Sequence, residues 1–560
     1  MTKNWKIMPS APAGFEADLG MSRLQAQLLY NRGIRSAEDA HTFMNPDSGL
    51  SHDPGLLPDI IPAVERLSDA LDSGEMIGIF GDFDTDGITS TALLVRAFSG
   101  LGGRVLPYLP DRVEEGHGLN TDALRRLQES GVTLLVTVDC GSTATDEINF
   151  AAELGIDVIV TDHHAIHGAP PSPVALINPK TDRSQYPYTE LTGVGIAFKL
   201  AQALYKKLGQ DLPPDLMELV ALGTIADVGP LTGENRYLVK AGIERINASA
   251  NPGLRALARV SGYEMGTLDA SSLSFGLIPR LNAAGRLGHS GISLDLLTST
   301  DINRATAIAS ELEIQNSRRQ TLTESGVAQA DAQIRRQHPT ELPSLIVVGH
   351  ASWEPGILGL IAGRINDSHY RPAIAVQIGP EVSRASARSI PEFDIISAME
   401  TCAPLFTKYG GHARAAGFTI ATEHMRELVA RLREIADIDM KGTQLQPELA
   451  IDCDALPSEV EGPNFEFVQR LSPFGESNPT PVFAARGIRV LQARGVGAGK
   501  HLKMRLADAE KSWDAIAFRQ GDRAGIARNH IDVAYSMEWN TWQGRTTLQM
   551  VVADIKPAGG

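Results

Sequence analysis

The stretch MIGIFGDFDTDGITS, residues 76–90, joins a short apolar run to an aspartate-rich turn and then to a helical pattern. The run MIGIF has the length and composition of a buried strand. Further short apolar runs follow at 104–109, 133–138 and 157–161, and patterns such as TSTALLVRAFSGLG and NTDALRRLQESG separate them. Strands that alternate with helices at this spacing predict βαβ units around a parallel sheet.

Acidic residues or histidines follow the ends of four apolar runs. They are Asp82, Asp84 and Asp86 after MIGIF, Asp139 after TLLVTV, Asp162, His163 and His164 after DVIVT, and Asp227 after ELVALGTIA. The carboxyl ends of parallel strands meet at one edge of a sheet, where ligands bind. A lone aspartate in such a place is usually a helix cap. Four such endings, one with a histidine pair, predict a metal site that prefers manganese, with magnesium as a substitute.

The spacing of Asp82, Asp84 and Asp86 also matches the start of a calcium-binding EF-hand loop. That loop needs glutamate at its twelfth position, which here is Leu93, and a helix rather than a strand before it. Calcium is therefore rejected. An aspartate-rich turn with a helix cap stays as the structural alternative for this motif taken alone.

The adjacent histidines His163 and His164 are expected to have different roles. Neighbouring side chains in an extended backbone point in opposite directions, so both can hardly bind one ion. One should bind metal, and the other should face the substrate as a phosphate-binding cation or a general acid. A packed or capping histidine is the alternative for such a pair without its surroundings.

Length and composition narrow the class of protein. The 560 residues are enough for three or four domains. The net charge is −16, although residues 251–420 contain 15 basic and 15 acidic side chains, which is compatible with a locally basic groove. Three separate cysteines form no disulfide or zinc pattern. With no membrane span and no secretory signal in the sequence, a cytoplasmic protein is expected.

The sequence changes character along its length. Residues 1–75 show helical patterns with proline-rich breaks, and a polar, charged stretch from about 292 to 337 predicts a long helix that joins two lobes. A second α/β pattern begins with SLIVVG at 344–349. Closely spaced short strands after residue 445 predict a small β-barrel of the OB type.

The motifs GDFDTDG, VDCG, TDHH and ALGTIADVGPL resemble, in order, the four motifs of the DHH phosphoesterase superfamily. The segments PDRVEEGHGLN (110–120) and PRLNAAGR (279–286) extend this resemblance to its RecJ family of single-strand-specific exonucleases. KYGGHARAAGF (408–418) resembles the GGHxxAAG motif of the accompanying DHHA1 domain.

The resemblance implies an α/β fold with a parallel sheet in the DHH domain, a long connecting helix, a second α/β domain and a C-terminal OB-like barrel. The expected domains are an N-terminal helical segment (1–75), the DHH catalytic domain (76–250), an interdomain helical region (251–340), the DHHA1 substrate-binding domain (341–440) and the OB-fold domain (445–560).

The resemblance also implies roles for individual residues. The positions that match metal ligands are Asp84, Asp86, Asp139 (as a ligand shared by two ions), His163 and Asp227, and Asp82 stands near a histidine ligand of phosphatase relatives. His164 matches the substrate-facing histidine and joins Asp139 in catalysis, while Asp162 is expected to orient His163. The positions expected to bind the 5′ end and the following backbone are Arg112, Arg280, Arg364, Ser386, Arg388, Gly410, Gly411 and His412. Arginine suits this role because its planar fork bonds two phosphate oxygens at once.

The activity implied is hydrolysis of single-stranded DNA from the 5′ end to 5′-mononucleotides, with two Mn²⁺ or Mg²⁺ ions, in recombination and repair. Single-strand-binding protein and recombination helicases are the implied partners. Two alternatives stay open: a phosphodiesterase of short oligonucleotides or cyclic dinucleotides, and a non-catalytic replication scaffold.

The predicted barrel contains five aromatic residues that are candidates for stacking on bases: Trp513, Phe518, Tyr535, Trp539 and Trp542. Most of them are expected to belong to the core of the barrel instead.

Overall fold

The computed structural model describes residues 3–112, 114–166, 168–288, 290–508, 511–542 and 545–559, without the side chain of Trp542. The chain divides into two compact units. The central unit comprises Ser48–Leu445, and the terminal unit comprises Met1–Asp47 together with Gln446–Gly560. Among the described helices, none has the length and apolar character needed to cross a membrane.

A five-stranded parallel sheet lies at the centre of the first lobe, which we define as residues 48–298. In spatial order its strands are Arg104–Tyr108, Met76–Gly81, Val132–Val138, Asp157–Thr161 and Ala175–Ile177. Ile77 and Ile79 pack against helices on one face, whereas Phe80 and Leu135 pack against helices on the other. Burial of both faces is the normal state of a parallel sheet and explains why its strands are apolar almost throughout.

The α-helices of the first lobe surround this sheet and continue beyond it. They are Ile60–Ser73, Thr85–Gly100, Thr121–Glu129, Thr145–Glu153, Gly193–Lys207, Leu216–Ala226, Gly233–Asn247, Pro252–Val260, Ala270–Ser272, Ile278–Leu287 and Gly291–Thr298. A π-helical stretch, Leu273–Leu277, precedes Ile278–Leu287. The apolar run that ends at Ala226 is thus a helix and not a strand, contrary to the interpretation of its sequence.

The connecting helix, Ile302–Gln337, packs against helices of the first lobe and against the strand and helix that begin the second. The sequence predicted one helix from about 292 to 337, but the chain breaks after Thr298. The break occurs because Asp301 caps a new helix, accepting hydrogen bonds from the amides of Asn303 (2.6 Å) and Arg304 (3.2 Å). The predicted long connecting helix is confirmed with a later start.

The second lobe, residues 342–440, contains a mixed five-stranded sheet. Its strands in spatial order are Phe406–His412, Ala415–Ala421, Val382–Arg388, Ala373–Gln377 and Ile346–His350. Only the last two strands pair in parallel. The helices are Leu358–His369, Ile395–Glu400 and Met425–Asp439. The sheet therefore has two edge strands, and the glycine–histidine motif lies on one of them.

A closed barrel forms most of the terminal unit. Its strands are Phe483–Val496, His501–Asp508, Lys511–Ala517, Arg545–Pro557 and His530–Trp542. The barrel is closed because the strand Phe483–Val496 pairs with both His501–Asp508 and His530–Trp542. The predicted fold class is confirmed, whereas the domain boundaries drawn from the sequence stay a prediction.

The N-terminal residues are part of the terminal unit. The strand Asn4–Ile7 pairs in parallel with Glu448–Ile451, and three helices follow: Phe15–Leu19, Arg23–Asn31 and Ala37–Met44. Arg32 donates to the side chain of Asn478 (2.8 Å) and to the carbonyl of Pro479 (2.7 Å). Two distant parts of the sequence are thereby held together, and the segment predicted to be helical contains a strand as well.

Candidate metal centre and phosphate-binding site

Aspartates lie at the carboxyl ends of neighbouring strands in the first lobe. Asp84 caps the helix Thr85–Gly100, because its Oδ1 accepts from the amides of Asp86 (2.9 Å) and Gly87 (3.1 Å). The strand Val132–Val138 ends at Asp139, whose φ is +60°. That left-handed conformation is uncommon for a residue other than glycine and costs about 1–3 kcal/mol. The backbone strain therefore falls on a residue that faces the centre.

Asp86 lies in the first turn of Thr85–Gly100, and its side chain contacts the start of a second helix. Its two carboxylate oxygens accept from the amides of Gly193 (2.7 Å) and Val194 (2.9 Å), which are the first residues of Gly193–Lys207. A Cβ on Gly193 would lie 2.6 Å from the Cβ of Asp139, so this helix can approach the carboxylates only with glycine at its first position.

Asp227 reaches the centre from the C-terminal end of the helix Leu216–Ala226. The next residue, Val228, has φ +59° and is 61% exposed. A β-branched residue in this conformation is a genuine outlier. The sequence placed Asp227 at a strand end, and the structure brings it to the same site from a helix end.

The candidate ligands form three overlapping groups. These groups are Asp82, Asp84 and Asp139; Asp86, His163 and Asp227; and Asp139, His163 and His164. In each group, one ligand atom from every side chain lies within 4.8 Å of the others. Asp139 belongs to two groups, and its Oδ1 is 3.0 Å from Nε2 of His163. All six residues predicted as metal ligands are thus brought together, with Asp139 between two adjoining groups.

Crowded carboxylates in a buried place repel one another. Burial, reinforced by neighbouring carboxylates, raises the pKa of Asp84 and raises those of Asp86 and Asp139 well above their usual range. Burial and Asp84 raise the pKa of Asp227 to about 7. The buried Oδ1 of Asp82 has no hydrogen-bond partner among the described residues. Divalent cations that prefer oxygen ligands would relieve the repulsion and occupy the unpartnered acceptor, so the donor set fits Mn²⁺ or Mg²⁺.

The two histidines differ from the prediction in one respect. Their ring centroids are only 4.4 Å apart, so the side chains do not point in opposite directions. The alternation fails because the strand ends at Thr161, and Oδ1 of Asp162 accepts from the amides of His163 (2.7 Å) and His164 (3.1 Å), which closes a tight turn.

Asp162 orients His164, whereas the sequence assigned its contact to His163. Oδ1 of Asp162 is 2.7 Å from Nδ1 of His164, and this hydrogen bond raises the pKa of His164 to about 9. Burial, followed by the charge of His164, lowers the pKa of His163 to about 3. At neutral pH, His163 is therefore a neutral ligand, while the 60% exposed side chain of His164 is a cation.

An arginine cluster, which we define as Arg112, Arg286, Arg319 and Arg388, belongs to the same central unit. The guanidinium of Arg112 lies 4.7 Å from the centre of the Phe83 ring and interacts with Asp82 and Asp84. Burial, followed by the charges of Arg112, Arg319 and Arg388, lowers the pKa of Arg286 to about 9. Arg286, Arg319 and Arg388 form no ion pair with a described carboxylate, and cations gathered in this way indicate a site for an anion.

Unpartnered polar atoms occur beside this cluster. Nε of Arg286, Nε of Arg319 and both amide atoms of Asn316 are buried and form no hydrogen bond with a described residue. Asn316 is 1% exposed. Buried polar groups are nearly always paired, so these atoms are suited to a bound ligand. Sequence reasoning missed Arg286, although the quoted motif PRLNAAGR contains it.

The other predicted phosphate ligands occupy different surroundings. A Cβ on Gly359 would lie 3.0 Å from Nη2 of Arg388 and 3.6 Å from Oγ of Ser386, which places those two side chains together. Arg280 is instead paired with Glu313 and donates to the carbonyl of Gly276 (2.6 Å). Arg280 and Arg364 both interact electrostatically with Arg319 of the cluster.

The glycine–histidine motif forms an exposed edge. Gly410, Gly411 and His412 end the strand Phe406–His412, which has only one neighbouring strand and is exposed from Thr407 onward. Its outer backbone groups are exposed, and the predicted binding of phosphate by these residues stays a prediction.

The barrel aromatics divide into two kinds. Trp513 and Tyr535 are buried, whereas Phe518 and Trp539 are 54% and 57% exposed. Tyr535 also donates to the carbonyl of Ala455 (3.0 Å), which is a structural role. Phe518 and Trp539 remain candidates for base stacking. The side chain of Trp542 lies outside the described part of the chain.

Three family models match the chain. They are the DHH family, N-terminal domain, over residues 76–224; the DHHA1 domain over residues 342–437; and the RecJ OB domain over residues 451–554. They cover the first lobe's sheet, the second lobe and the barrel in turn.

Curated relatives match nearly the whole chain. A protein named single-stranded-DNA-specific exonuclease RecJ from Bacillus subtilis is 36% identical over 541 residues, covering 96% of this chain and 68% of the relative. Its counterpart from Thermus thermophilus is 36% identical, covering 99% of this chain and 78% of the relative. The Escherichia coli counterpart is 34% identical, covering 95% of this chain and 96% of the relative.

Solved structures show the same arrangement. The crystal structure of RecJ in complex with Mn²⁺ from Thermus thermophilus matches with a TM-score of 0.85 and 32% identity, covering all of this chain and 80% of that chain. The complex with Mg²⁺ matches with a TM-score of 0.77 and 30% identity, covering all of this chain and 79% of that chain. These two ions are the ones that the carboxylate and histidine ligands favour.

Proposed function

This chain belongs to the RecJ family of single-stranded-DNA-specific exonucleases, and from that membership and the geometry above we propose that it degrades single-stranded DNA from the 5′ end to 5′-mononucleotides. It is a metal-dependent exonuclease. The observation that carries the proposed direction is the arginine cluster, because Arg112 interacts with the carboxylates of the metal centre and with the other arginines. One DNA strand could therefore contact both the metal centre and the arginine cluster.

Two divalent ions would be held by the adjoining groups. Asp82, Asp84 and Asp139 would hold one, and Asp86, His163 and Asp227 the other, with Asp139 shared. When bound, such ions lower the pKa of water and stabilise charge on a phosphate. The neutral ring of His163 is ready to act as a ligand, since its pKa of about 3 keeps it unprotonated.

His164 would act on the substrate. It is protonated at neutral pH, and Asp162 holds its Nδ1 side, so Nε2 is left to donate a hydrogen bond to a phosphate oxygen. Asn178 supports this loop by donating to the carbonyl of His164 (2.9 Å). A charge-assisted hydrogen bond of this kind contributes roughly 1.5–3 kcal/mol.

The second lobe would set the direction of degradation. Ser386, Arg388 and the edge strand with Gly410, Gly411 and His412 would hold the terminal 5′-phosphate, while Arg286 would contact the backbone that follows. A single strand would enter between the lobes, and the exposed barrel aromatics would stack on bases farther along.

Affinity measurements with and without a 5′-phosphate test this assignment. Arg388→Ala should reduce the preference for a 5′-phosphorylated strand over a 5′-hydroxyl strand about tenfold or more, because one charge-assisted contact is lost. Arg384→Ala is the matched control, since Arg384 lies exposed on the same strand. An unchanged preference would show that Arg388 does not hold the terminus, and Arg112 or Arg286 would replace it.

Product analysis tests the reaction itself. A 40-mer labelled at its 5′ end should release labelled mononucleotide at once with Mn²⁺, whereas a 3′-labelled copy should shorten progressively. A dinucleotide and a cyclic dinucleotide serve as controls. Preferential cleavage of either control would favour the phosphodiesterase alternative, and no cleavage at all would favour a scaffold.

We also propose a cellular setting. The family suggests action in recombination and repair, in the cytoplasm, beside single-strand-binding protein and recombination helicases. Co-purification of tagged protein with these partners, in the presence of a nuclease that removes bridging DNA, would test the proposed contacts.

A further inference from the structure

A cleft of about 470 Å³ opens on the second lobe, lined by residues that belong neither to the metal centre nor to the arginine cluster. Its apolar walls come from Val347 and Val376 of the sheet and from Met425 and Val429 of the last helix. Ile378, at its rim, is 44% exposed. Clefts of this size and lining commonly receive an apolar group.

An edge strand borders the cleft. Ile346–His350 is the outermost strand of its sheet and pairs only with Ala373–Gln377. The amide of Ile346 donates to Pro372, and the carbonyl of His350 accepts from Ile378, so alternate residues face the neighbouring strand. Val347 faces outward, and its N–H and C=O form no hydrogen bond with a described residue.

Side chains cover the outward groups on both sides of Val347. The carbonyl of Leu345 accepts from Nε of Arg433 (3.4 Å), and the amide of Gly349 donates to Oε1 of Gln333 (3.1 Å). The outward N–H and C=O of Val347 are left uncovered between these two covered groups. This gap is wide enough for a short extended segment and too narrow for edge-to-edge pairing with a whole sheet.

One end of the cleft is cationic. Arg433 lies beside His338, and neither has a carboxylate within 4.0 Å among the described residues. Among the described residues, the guanidinium forms one hydrogen bond, from Nε to the carbonyl of Leu345, so its remaining N–H groups are available to a ligand. Charge complementarity favours a carboxylate at this end. A nucleic acid is disfavoured, because the walls are mainly apolar and Arg433 is the one arginine or lysine among the described residues that line them.

We propose that this cleft binds an extended peptide segment of a partner protein, with an apolar side chain among Val347, Met425 and Val429 and an acidic residue beside Arg433. The peptide backbone would pair with Val347, which is the strand-addition mode of peptide recognition. Such a site recruits the enzyme to a protein and is independent of the exonuclease activity proposed above.

A synthetic probe can test the proposal. A fluorescein-labelled octapeptide of alternating valine and aspartate should bind the full-length protein, as measured by fluorescence anisotropy. A copy with lysine in place of aspartate should bind at least about fivefold more weakly, because it loses the charge-assisted contact. Single-stranded oligothymidine should not displace the peptide.

Two variants and a control make the test specific. Arg433→Gln should weaken peptide binding about fivefold or more. Val347→Pro should abolish it, since proline removes an outward N–H that the sheet does not use. Arg426→Gln, which is exposed on the same helix, should bind normally. All three should keep wild-type exonuclease activity, which shows that they are folded.

Several results would overturn the proposal. These are absence of binding at millimolar peptide, equal binding of the lysine copy, displacement by oligothymidine, or wild-type affinity of Arg433→Gln. A failure of exonuclease activity in the wild-type protein would instead count against the proposed function and would leave the peptide measurement to stand alone.

Discussion

At the scale of single residues, the metal centre concentrates unfavourable features that an ion would offset. Asp139 is buried, has a left-handed backbone and lies among other carboxylates whose charges raise its pKa. Asp82 leaves a buried oxygen unpartnered. Functional sites commonly store strain of this kind, and the surrounding fold stabilises it.

The first prediction concerns the protein in EDTA. Its free energy of unfolding should fall as pH rises from about 4 to 7, by about 2 kcal/mol or more. Asp227 has a folded pKa of about 7, above the unfolded value near 3.9, and the pKa values of Asp86 and Asp139 are also raised, so these carboxylates bind more protons in the folded state. His163, whose folded pKa is about 3, contributes in the opposite direction, and the three carboxylates together are expected to outweigh it. Urea unfolding at a series of pH values measures the slope.

Asp139→Asn should flatten this slope and raise the stability of the metal-free protein at pH 7, while it abolishes hydrolysis. Asp146→Asn is the control, because Asp146 is exposed on a helix of the same lobe. Stability that increases with pH in EDTA, in the same window, would contradict the assigned pKa shifts.

The second prediction separates metal binding from turnover. Asp162→Asn keeps an oxygen to accept the amides of His163 and His164, but it loses the acceptor for the amide of Ser142 (2.9 Å) and the charge that holds His164 protonated. The turnover number should fall about tenfold or more, with little change in Mn²⁺ affinity by calorimetry, because Asp162 belongs to none of the three ligand groups. His164→Ala should give a similar loss, and the double variant should lose no more than either single change. Loss of metal from Asp162→Asn would show that it positions the ligands instead.

Residue types in order along the chain were enough to predict which side chains come together at the candidate metal centre. They did not predict how Asp162 and the histidines contact one another, because the backbone turns after Thr161 and alternation no longer holds. The choice between Arg280 and Arg286 was also beyond the sequence. Both occur in one motif, and only the packing shows that Arg280 is paired with Glu313 while Arg286 is not.

At the scale of helices and strands, helix ends bring charged groups together. The first amide of the helix Gly193–Lys207 donates to the carboxylate of Asp86. Asp227 lies directly after the C-terminal end of the helix Leu216–Ala226. Parallel strands could be predicted from their short apolar runs. The helix Leu216–Ala226 could not be told from a strand, because a buried helix is apolar on all sides and its sequence shows no clear period.

The third prediction concerns this helix approach. Gly193→Ala should weaken Mn²⁺ binding and lower activity at least tenfold, since the added Cβ would lie 2.6 Å from that of Asp139 and must displace the helix or the carboxylate. Calorimetric metal titration and single-turnover rates measure both effects. Gly291→Ala, at the first position of the helix Gly291–Thr298 with nothing within 4 Å of its Cβ, should retain metal affinity. Normal metal binding by Gly193→Ala would mean that the helix end tolerates a shift.

At the scale of the whole molecule, the candidate metal centre and the candidate base-stacking aromatics occupy different compact units. All six candidate metal ligands and the arginine cluster lie in Ser48–Leu445, whereas the exposed barrel aromatics lie in the terminal unit. Domain order could be predicted from changes in composition. The pairing of the N-terminal strand with a strand of the terminal unit could not be predicted, because two strands more than 440 residues apart leave no local signal in the sequence.

The fourth prediction follows from this division. A fragment of residues 48–445 should fold, bind Mn²⁺ with near-normal affinity and hydrolyse short oligonucleotides. Its affinity for a 40-mer should fall about tenfold or more, because stacking contributes ~1–3 kcal/mol per base. Filter binding with a 6-mer and a 40-mer measures the difference, and the full-length protein is the reference. An unaltered affinity for the 40-mer would show that the barrel does not hold DNA.

The pairing of Asn4–Ile7 with Glu448–Ile451 also affects how the chain is made. On a ribosome that adds about 5–20 residues per second, the first strand waits roughly 20–90 s before its partner exists. The central unit can complete its folding in that interval. The nascent N-terminus, with Trp5 not yet covered by the cation of Arg486, is then a natural client for a chaperone until the last fifth of the protein is synthesised.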